Sequence, residues 1–125
     1  MVDQHFISKK SDVEKFLKEL KSIIYNENFD KNKQFFLLSR KNDLSTSMYA
    51  NYNTLLLLNY NIDDIIKELS SLEYENYYET IIDSFGYEKL LYVFKKRKDN
   101  IIIYIKISIN NRIIKCVSFH ISNEK

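Results

Sequence analysis

Two features of this sequence could do chemistry, and both lie in its last third. The first is His120, one of only two histidines, at the end of the alternating run RIIKCVSFH. Imidazole has an unperturbed pKa that suits proton transfer near neutral pH. The second is a run of four cations, Lys95, Lys96, Arg97 and Lys98, which repel one another unless an anion lies nearby. Lys106 and Lys115 add two more cations close to this run.

Each feature also has a purely structural interpretation. A basic hairpin tip can be a solvated connection that protects a sheet edge from aggregation. Alternatively, cations beside exposed aromatic rings can bind the phosphates of single-stranded nucleic acid. His120 directly follows Phe119 and has no other ligand-type residue around it, so it is a poor candidate for a metal ligand. The residues alone leave open whether the cations bind phosphate and whether the histidine is catalytic.

Three strands are predicted to position these groups. Residues 88–95, 101–109 and 112–120 carry β-branched and aromatic residues at period two, between clusters of Lys, Asp and Asn. That pattern predicts an antiparallel meander. Asn110 and Asn111 are predicted to form its second turn, a two-residue type I′ turn. The turn would create one apolar face by pairing Ile109 with Arg112, Ile107 with Ile114, Ile105 with Cys116 and Ile103 with Ser118.

The opposite face of the meander mixes aromatic, cationic and hydroxyl groups. Its members are Ile102, Tyr104, Lys106 and Ser108 on the middle strand, and Ile113, Lys115, Val117 and Phe119 on the last. A slip of one residue would bury Lys106, so the hydrophobic pattern should determine the register strongly. In this register His120 falls on the apolar face, unless the strand twists, bulges or ends just before it.

Amphipathic helices precede the meander and are predicted to cover one of its faces. A helix over residues 12–25 opens with a Ser11–Glu14 capping box, and a second begins after the N-cap Asn61. Between them we predict an extended segment at 34–39 and a helix over 44–58. Residues 72–78 are predicted to form a junction with one short helical turn, and residues 80–87 a loop. Helices segregated from a meander indicate a single two-layer α+β domain over residues 1–125.

Length and composition limit the class of protein. A chain of 125 residues with a net charge of +2 fits one globular domain and does not by itself imply a nucleic-acid partner. The one cysteine, Cys116, excludes an internal disulfide and favours a reducing compartment. The longest apolar run, residues 55–58, is far too short for a membrane span, and the N-terminus does not resemble a signal peptide. We therefore expect a cytoplasmic protein with no membrane partner.

From Leu69 onward the sequence resembles the MqsR family of bacterial toxins, mRNA interferases of type II toxin–antitoxin systems with a RelE-like fold. The matching segments are the helix before LEYENYY, the strand LLYVFKK, and IIYIKI followed by KCVSFH. The family has a hydrophobic–Tyr–hydrophobic–Lys strand followed by a strand that ends in Ser-Phe-His or Ser-Phe-Lys. The positions that match this motif are Tyr104, Lys106, Ser118, Phe119 and His120.

The resemblance implies a two-layer RelE-like domain and an endoribonuclease that uses no metal or other cofactor. In that reaction the ribose 2′-hydroxyl attacks the neighbouring phosphate, which leaves a cyclic phosphate and a free 5′-hydroxyl. The reaction needs a base, cations for the phosphate and an acid for the leaving oxygen. By resemblance, Lys106 stabilises the phosphate, His120 transfers a proton, and Tyr104 transfers a proton or positions the substrate.

The resemblance also implies partners. The predicted RNA-binding residues are Lys95, Lys96, Arg97, Lys98, Lys115 and Tyr92. The expected partners are mRNA and a cognate antitoxin, which would be a DNA-binding protein with a helix-turn-helix.

The sequence departs from the family pattern at several positions. Glu79 stands where a lysine or glycine is common, Tyr92 replaces a frequent tryptophan, and a glutamine that helps catalysis in some members has no clear counterpart. Glu79 and the missing glutamine favour a second hypothesis, a non-catalytic module on the same fold that binds protein or RNA through its Tyr/Lys-rich face. Such a protein would be a degenerate toxin or a phage-borne inhibitor. A third hypothesis is a small structural or adaptor protein whose basic hairpin is only a soluble edge.

Overall fold

The computed structural model of the protein describes residues 4–37, 59–82 and 90–121. These residues form an α+β structure built on a six-stranded mixed sheet. The helices and strands, in chain order, are β1 Gln4–Phe6, α1 Lys10–Ile24, α2 Lys31–Gln34, β2 Phe35–Leu37, α3 Ile62–Ser70, β3 Tyr77–Ile82, β4 Leu90–Lys98, β5 Ile101–Asn110 and β6 Ile113–Ile121. A 3₁₀ turn at Tyr74–Asn76 precedes β3, as predicted for this junction.

The sheet has the strand order β1-β3-β4-β5-β6-β2. Its centre is the predicted antiparallel meander of β4, β5 and β6, while β2 pairs in parallel with β6 at one edge. Residues 80–82 were predicted as part of a loop, and this prediction was wrong because they belong to β3. A register shift between Tyr77 and Glu79 interrupts the period-two pattern of β3, which hides the strand in the sequence.

Helices α1 and α3 cover one side of the sheet, which we call the helix face. Helix α1 places one apolar stripe in the core, and α3 contributes a second, as their spacing predicts. The buried residues that meet them from the central strands are Phe94, Ile103, Ile105, Ile107, Ile114, Cys116 and Phe119. None of the helices in the described ranges is long and apolar enough to cross a membrane.

The other side of the sheet, which we call the outer face, has a smaller apolar cluster. Ile81, Leu91 and Val93 form its buried part, and Tyr104 and Val117 pack against it. Strand side chains alternate between faces, so this cluster and the helix-covered core use opposite sides of the same strands.

The helix ends differ from the prediction at one place and match it at another. Helix α1 begins at Lys10 with Lys9 as its N-cap and no side-chain cap, so the predicted Ser11–Glu14 capping box is wrong. Ser11 lies inside the first turn, where its hydroxyl cannot serve as an N-cap. Helix α3 does carry a capping box, because Asn61 and Asp64 each accept a hydrogen bond from the other's backbone N–H at 2.9 Å. The helix predicted over 44–58 lies outside the described residues.

The turn between β5 and β6 is one residue further along than predicted. Asn111 and Arg112 occupy its central positions, with φ of 53° and 60°, while Asn110 still pairs with Ile113. The predicted pairing was therefore wrong, and Ile109 lies opposite Ile114. Positive φ at both positions is the signature of a type I′ turn, whose twist matches that of the flanking strands.

Candidate functional site

A β-bulge in β6 determines which way His120 faces. Ile107 pairs with Cys116, but the preceding residue of β5 pairs with Ser118, so Val117 is an extra residue in the ladder. Beyond this bulge the alternation of β6 is inverted. Phe119 therefore enters the core, and His120 lies opposite Tyr104 on the outer face. The unbulged register had placed both residues on the wrong faces.

Tyr104, Lys106 and His120 come together on the outer face. The rings of Tyr104 and His120 are stacked, with centroids 5.1 Å apart and planes inclined by 22°. The ammonium nitrogen of Lys106 is 5.9 Å from the centroid of the Tyr104 ring. All three residues are partly exposed.

The backbone constrains the tautomer of His120. Its Nδ1 is 3.2 Å from the carbonyl oxygen of Ile121. A carbonyl oxygen can only accept a hydrogen bond, so Nδ1 carries the proton in this contact. In the neutral ring Nε2 is then the unprotonated nitrogen and the atom able to take up a proton.

The four cations of residues 95–98 divide between the two faces, because side chains alternate along a strand. Lys95 and Arg97 lie on the outer face, and Lys95 is directly opposite Tyr104. Lys115 of β6 lies on this face as well. Three of the predicted RNA-binding cations thus share a surface with the predicted catalytic residues.

Lys96 and Lys98 lie on the helix face, where both contact Glu68 of α3. Their ammonium nitrogens are 3.4 and 3.8 Å from its carboxylate oxygens, and the Glu68 side chain is only 12% exposed. A hydrogen bond with Tyr60 and, secondly, the charge of Glu68 raise the pKa of Lys98. The structure therefore places these two lysines where they neutralise a largely buried carboxylate.

Tyr92 also lies on the helix face. Its ring stacks on Phe16 of α1 with centroids 4.1 Å apart. Burial and, secondly, the charge of Asp12 raise the pKa of the Tyr92 phenol. The RNA-binding role predicted for Tyr92 and for the two lysines beside Glu68 stays a prediction, and these residues do not share a face with Tyr104.

The structure adds an imidazole–carboxylate pair to the outer face. His5 Nδ1 is 2.9 Å from Glu79 Oε2, and Glu79 lies opposite Val93. This pair joins β1 to β3 across a separation of 74 residues. No local pattern in the sequence could have shown it, because a pairing so distant depends on how the chain folds back.

Tyr78 is a further outer-face residue that the sequence did not single out as functional. It occupies the register shift of β3, and the residue is 46% exposed. The ammonium nitrogen of Lys95 lies 3.6 Å from the centroid of its ring. The available signal was the interrupted alternation around Tyr77–Glu79, which marks a bulge only once the partner strand is known.

Fold and site together define an α+β protein with an aromatic and cationic face on its sheet, opposite the helices. No protein-family model matches the chain, and no curated protein or solved structure is significantly similar to it. Within the described ranges, no three His, Cys, Asp or Glu side chains are grouped so that they could hold a metal ion. The function is therefore proposed from the geometry of the outer face and from the motifs of the sequence.

Proposed function

We propose that this protein is an MqsR-like mRNA interferase with a RelE-like fold, an endoribonuclease that cleaves RNA by attack of the ribose 2′-hydroxyl. The observation that carries this proposal is the position of His120, whose ring lies 5.1 Å from that of Tyr104 on a face that also bears Lys106. An α+β architecture with helices on the opposite face of the sheet is compatible with it.

The proton transfers follow from the orientation of His120. Its Nε2 takes the proton of the 2′-hydroxyl while the 2′-oxygen forms a bond to phosphorus. The bond between phosphorus and the 5′-oxygen of the next nucleotide breaks, and that oxygen takes up a proton. Tyr104 either donates this proton or holds the ribose and the imidazole in place while water donates it. The products are a 2′,3′-cyclic phosphate and a 5′-hydroxyl.

The cations of the outer face supply the electrostatic part of the mechanism. In the transition state negative charge accumulates on the phosphate oxygens, and a nearby ammonium group stabilises it. Lys106 lies beside the aromatic pair and matches the lysine of the family motif, so we assign this role to it. Lys95, Arg97 and Lys115 share its face and would bind the phosphates of neighbouring nucleotides.

An enzyme of this type acts on mRNA in the cytoplasm and needs a cognate antitoxin that keeps it inactive. The resemblance in sequence suggests a helix-turn-helix protein for this partner. The second candidate, a non-catalytic module that binds RNA or protein through the same face, differs from the first in whether RNA is cut.

The test compares three proteins expressed in bacteria. They are the wild type, the double variant Lys106→Ala/His120→Ala, and the control Lys18→Ala/Tyr25→Ala, which changes exposed residues in and just after α1. Growth and transcript integrity are followed after induction. The purified proteins are then incubated with a single-stranded RNA, and with the same RNA lacking the 2′-hydroxyls.

We expect the wild type and the control to stop growth and to cut RNA into products with cyclic phosphate ends. The double variant should be slower by at least about 100-fold, the scale of a lost acid–base group. A wild type without effect on growth and RNA would refute the proposal. Equal activity of the double variant would refute the residue assignment, and RNA that is bound but never cut would establish the binding module instead.

A further inference from the structure

Four side chains form a row across four neighbouring strands of the outer face. Lys95 of β4 lies opposite Tyr104 of β5, and Tyr104 lies opposite His120 of β6. On the other side of β4, the Lys95 ammonium nitrogen is 3.6 Å from the centroid of the Tyr78 ring. Neighbouring strands are about 4.8 Å apart, so the row Tyr78–Lys95–Tyr104–His120 extends roughly 14 Å across the sheet.

The position of Tyr78 keeps its ring accessible. In the described residues β1 pairs with β3 only at residues 80–82, so Tyr78 lies past the end of β1. The residue is 46% exposed, although it belongs to a strand of the sheet. The ammonium group of Lys95 lies over one face of the ring, in a cation–π contact.

The chemistry of the row matches single-stranded RNA better than a protein surface. Aromatic rings stack with bases of any sequence, and cations between them bind the phosphates that connect the bases. Protein interfaces are also rich in aromatic residues, but they are depleted in lysine. In this row an aromatic ring is followed by a lysine and then by a second aromatic ring, much as bases alternate with phosphates along an RNA chain.

We propose that Tyr78 is a base-stacking subsite for single-stranded RNA, and that Lys95 binds the phosphate between this base and the nucleotide at Tyr104. The RNA then runs across the strands of the sheet, from β3 to β6. This inference rests on the proposed function, because it takes the scissile phosphate to lie at Tyr104 and His120. It adds to that function a residue that binds substrate but takes no part in bond cleavage.

The first experiment measures binding without cleavage. In the His120→Ala background, a short fluorescent single-stranded RNA is titrated with protein, and its anisotropy gives the Kd. Tyr78→Ala should weaken binding about tenfold, as expected for the loss of one stacked base. Tyr78→Phe should bind like its parent, since the ring and not the hydroxyl makes the stack. Tyr25→Ala, at an exposed tyrosine after α1, is the matched control and should change nothing.

Salt dependence separates the two roles in the row. Lys95→Ala should reduce the slope of log Kd against log salt by somewhat less than one, because one phosphate contact is lost. Tyr78→Ala should leave this slope unchanged while raising Kd at every salt concentration. If Tyr78→Ala acted only by disturbing the structure around Lys95, the slope of log Kd against log salt would fall as well. An unchanged slope together with rescue by Tyr78→Phe therefore identifies stacking.

The second experiment uses enzyme with His120 intact. On a long RNA, Tyr78→Ala should raise KM and leave kcat unchanged, whereas on a dinucleotide too short to reach Tyr78 both constants should match the wild type. If Tyr78→Ala binds and cuts long RNA as well as the wild type does, the subsite is refuted and the nuclease stands. If wild-type protein binds RNA through Tyr78 but cuts none, cleavage and the placement of a scissile phosphate are refuted, and only the base-stacking contact of Tyr78 stands. Protein that does not bind RNA refutes both.

Discussion

The ring of His120 lies against the ring of Tyr104 across two neighbouring strands, with centroids 5.1 Å apart and planes inclined by 22°. Uninterrupted alternation in β6 would have pointed this imidazole toward the helices. The extra residue Val117 inverts the alternation, so the imidazole faces out and the ring of Phe119 faces in. The single extra residue Val117 therefore determines both which ring is buried in the core and which ring lies beside Tyr104.

Removal of Val117 should therefore affect stability and the site together. Without the bulge, either Phe119 leaves the core or the strand distorts to keep it there. We expect a loss of about 3 kcal/mol in the free energy of unfolding, comparable to truncating a buried phenylalanine. Val117→Ala keeps the bulge and should cost about 1 kcal/mol. Urea unfolding measures both, and a deletion variant as stable as the wild type would contradict the role given to the bulge.

Substitutions of Tyr104 should distinguish its ring from its hydroxyl. Tyr104→Ala removes the surface on which the imidazole of His120 stacks, so RNA cleavage should fall by at least about tenfold. Tyr104→Phe keeps the stack and removes only the hydroxyl. A loss of about 100-fold in Tyr104→Phe, relative to the wild type, would assign proton transfer to the hydroxyl. Near wild-type rates would show that Tyr104 acts by positioning. Cleavage unchanged in Tyr104→Ala would exclude Tyr104 from the site.

The buried thiol of Cys116 should make the protein less stable in alkali. Burial raises the pKa of this thiol to about 12. In the unfolded chain the thiol ionises near pH 8.5, so it is protonated in both states below that pH and its contribution to stability is complete there. As the pH rises toward 12 only the unfolded state loses the proton, and stability falls by about 1.4 kcal/mol per pH unit.

The comparison with Cys116→Ala isolates this effect, because the phenol of Tyr92, whose pKa is also raised, titrates in both proteins. Free energies of unfolding measured at pH 8 and pH 10 should decline more steeply in the wild type. Parallel declines in the two proteins would show that the thiol is not buried.

The turn between β5 and β6 can be stabilised by a single glycine. Arg112 has φ of 60°, which costs an L-residue about 1–2 kcal/mol and costs glycine little. Arg112→Gly should therefore raise the free energy of unfolding by about 1 kcal/mol. The Gln34 side chain donates a hydrogen bond to the backbone carbonyl of Arg112, and this bond does not depend on the Arg112 side chain. Differential scanning calorimetry would detect the change as a higher Tm.

Asn110→Gly is the matched comparison for this turn. Asn110 pairs with Ile113 within the ladder, so glycine there should destabilise the strand. If Asn110→Gly raised the free energy of unfolding and Arg112→Gly lowered it, the central residues of the turn would be Asn110 and Asn111, as the sequence pattern predicts.

The N-terminus of α3 should depend on Asn61. Its side chain accepts a hydrogen bond from the backbone N–H of Asp64 at 2.9 Å, and Asn61→Ala should cost about 1 kcal/mol. Ser11→Ala should leave stability nearly unchanged, because α1 has no side-chain cap. Thermal unfolding of both variants tests which helix has the capping box. An effect of Ser11→Ala as large as that of Asn61→Ala would contradict the observed start of α1.

The sequence by itself determined the elements whose signals are local. The apolar stripes of α1 and α3 repeat within each helix, and the alternation of β4, β5 and β6 repeats within each strand. The same alternation was enough to put Tyr104 and Lys106 on the face that the helices leave uncovered. It also predicted the α+β arrangement, because helices and meander occupy separate parts of the chain.

Only the tertiary structure decided how His120, Tyr78 and Glu79 are placed. Each placement depends on a partner strand. The bulge that turns His120 outward is defined by the pairing of β6 with β5, and the bulge at Tyr78 by the pairing of β3 with β4. Glu79 contacts His5 only because β1 pairs with β3. Pairing register is a property of two strands and of the core that forms beneath them, so one strand's pattern does not contain it. The composition of the outer face is consequently determined by long-range pairing, while the strands that form it are determined by local periodicity.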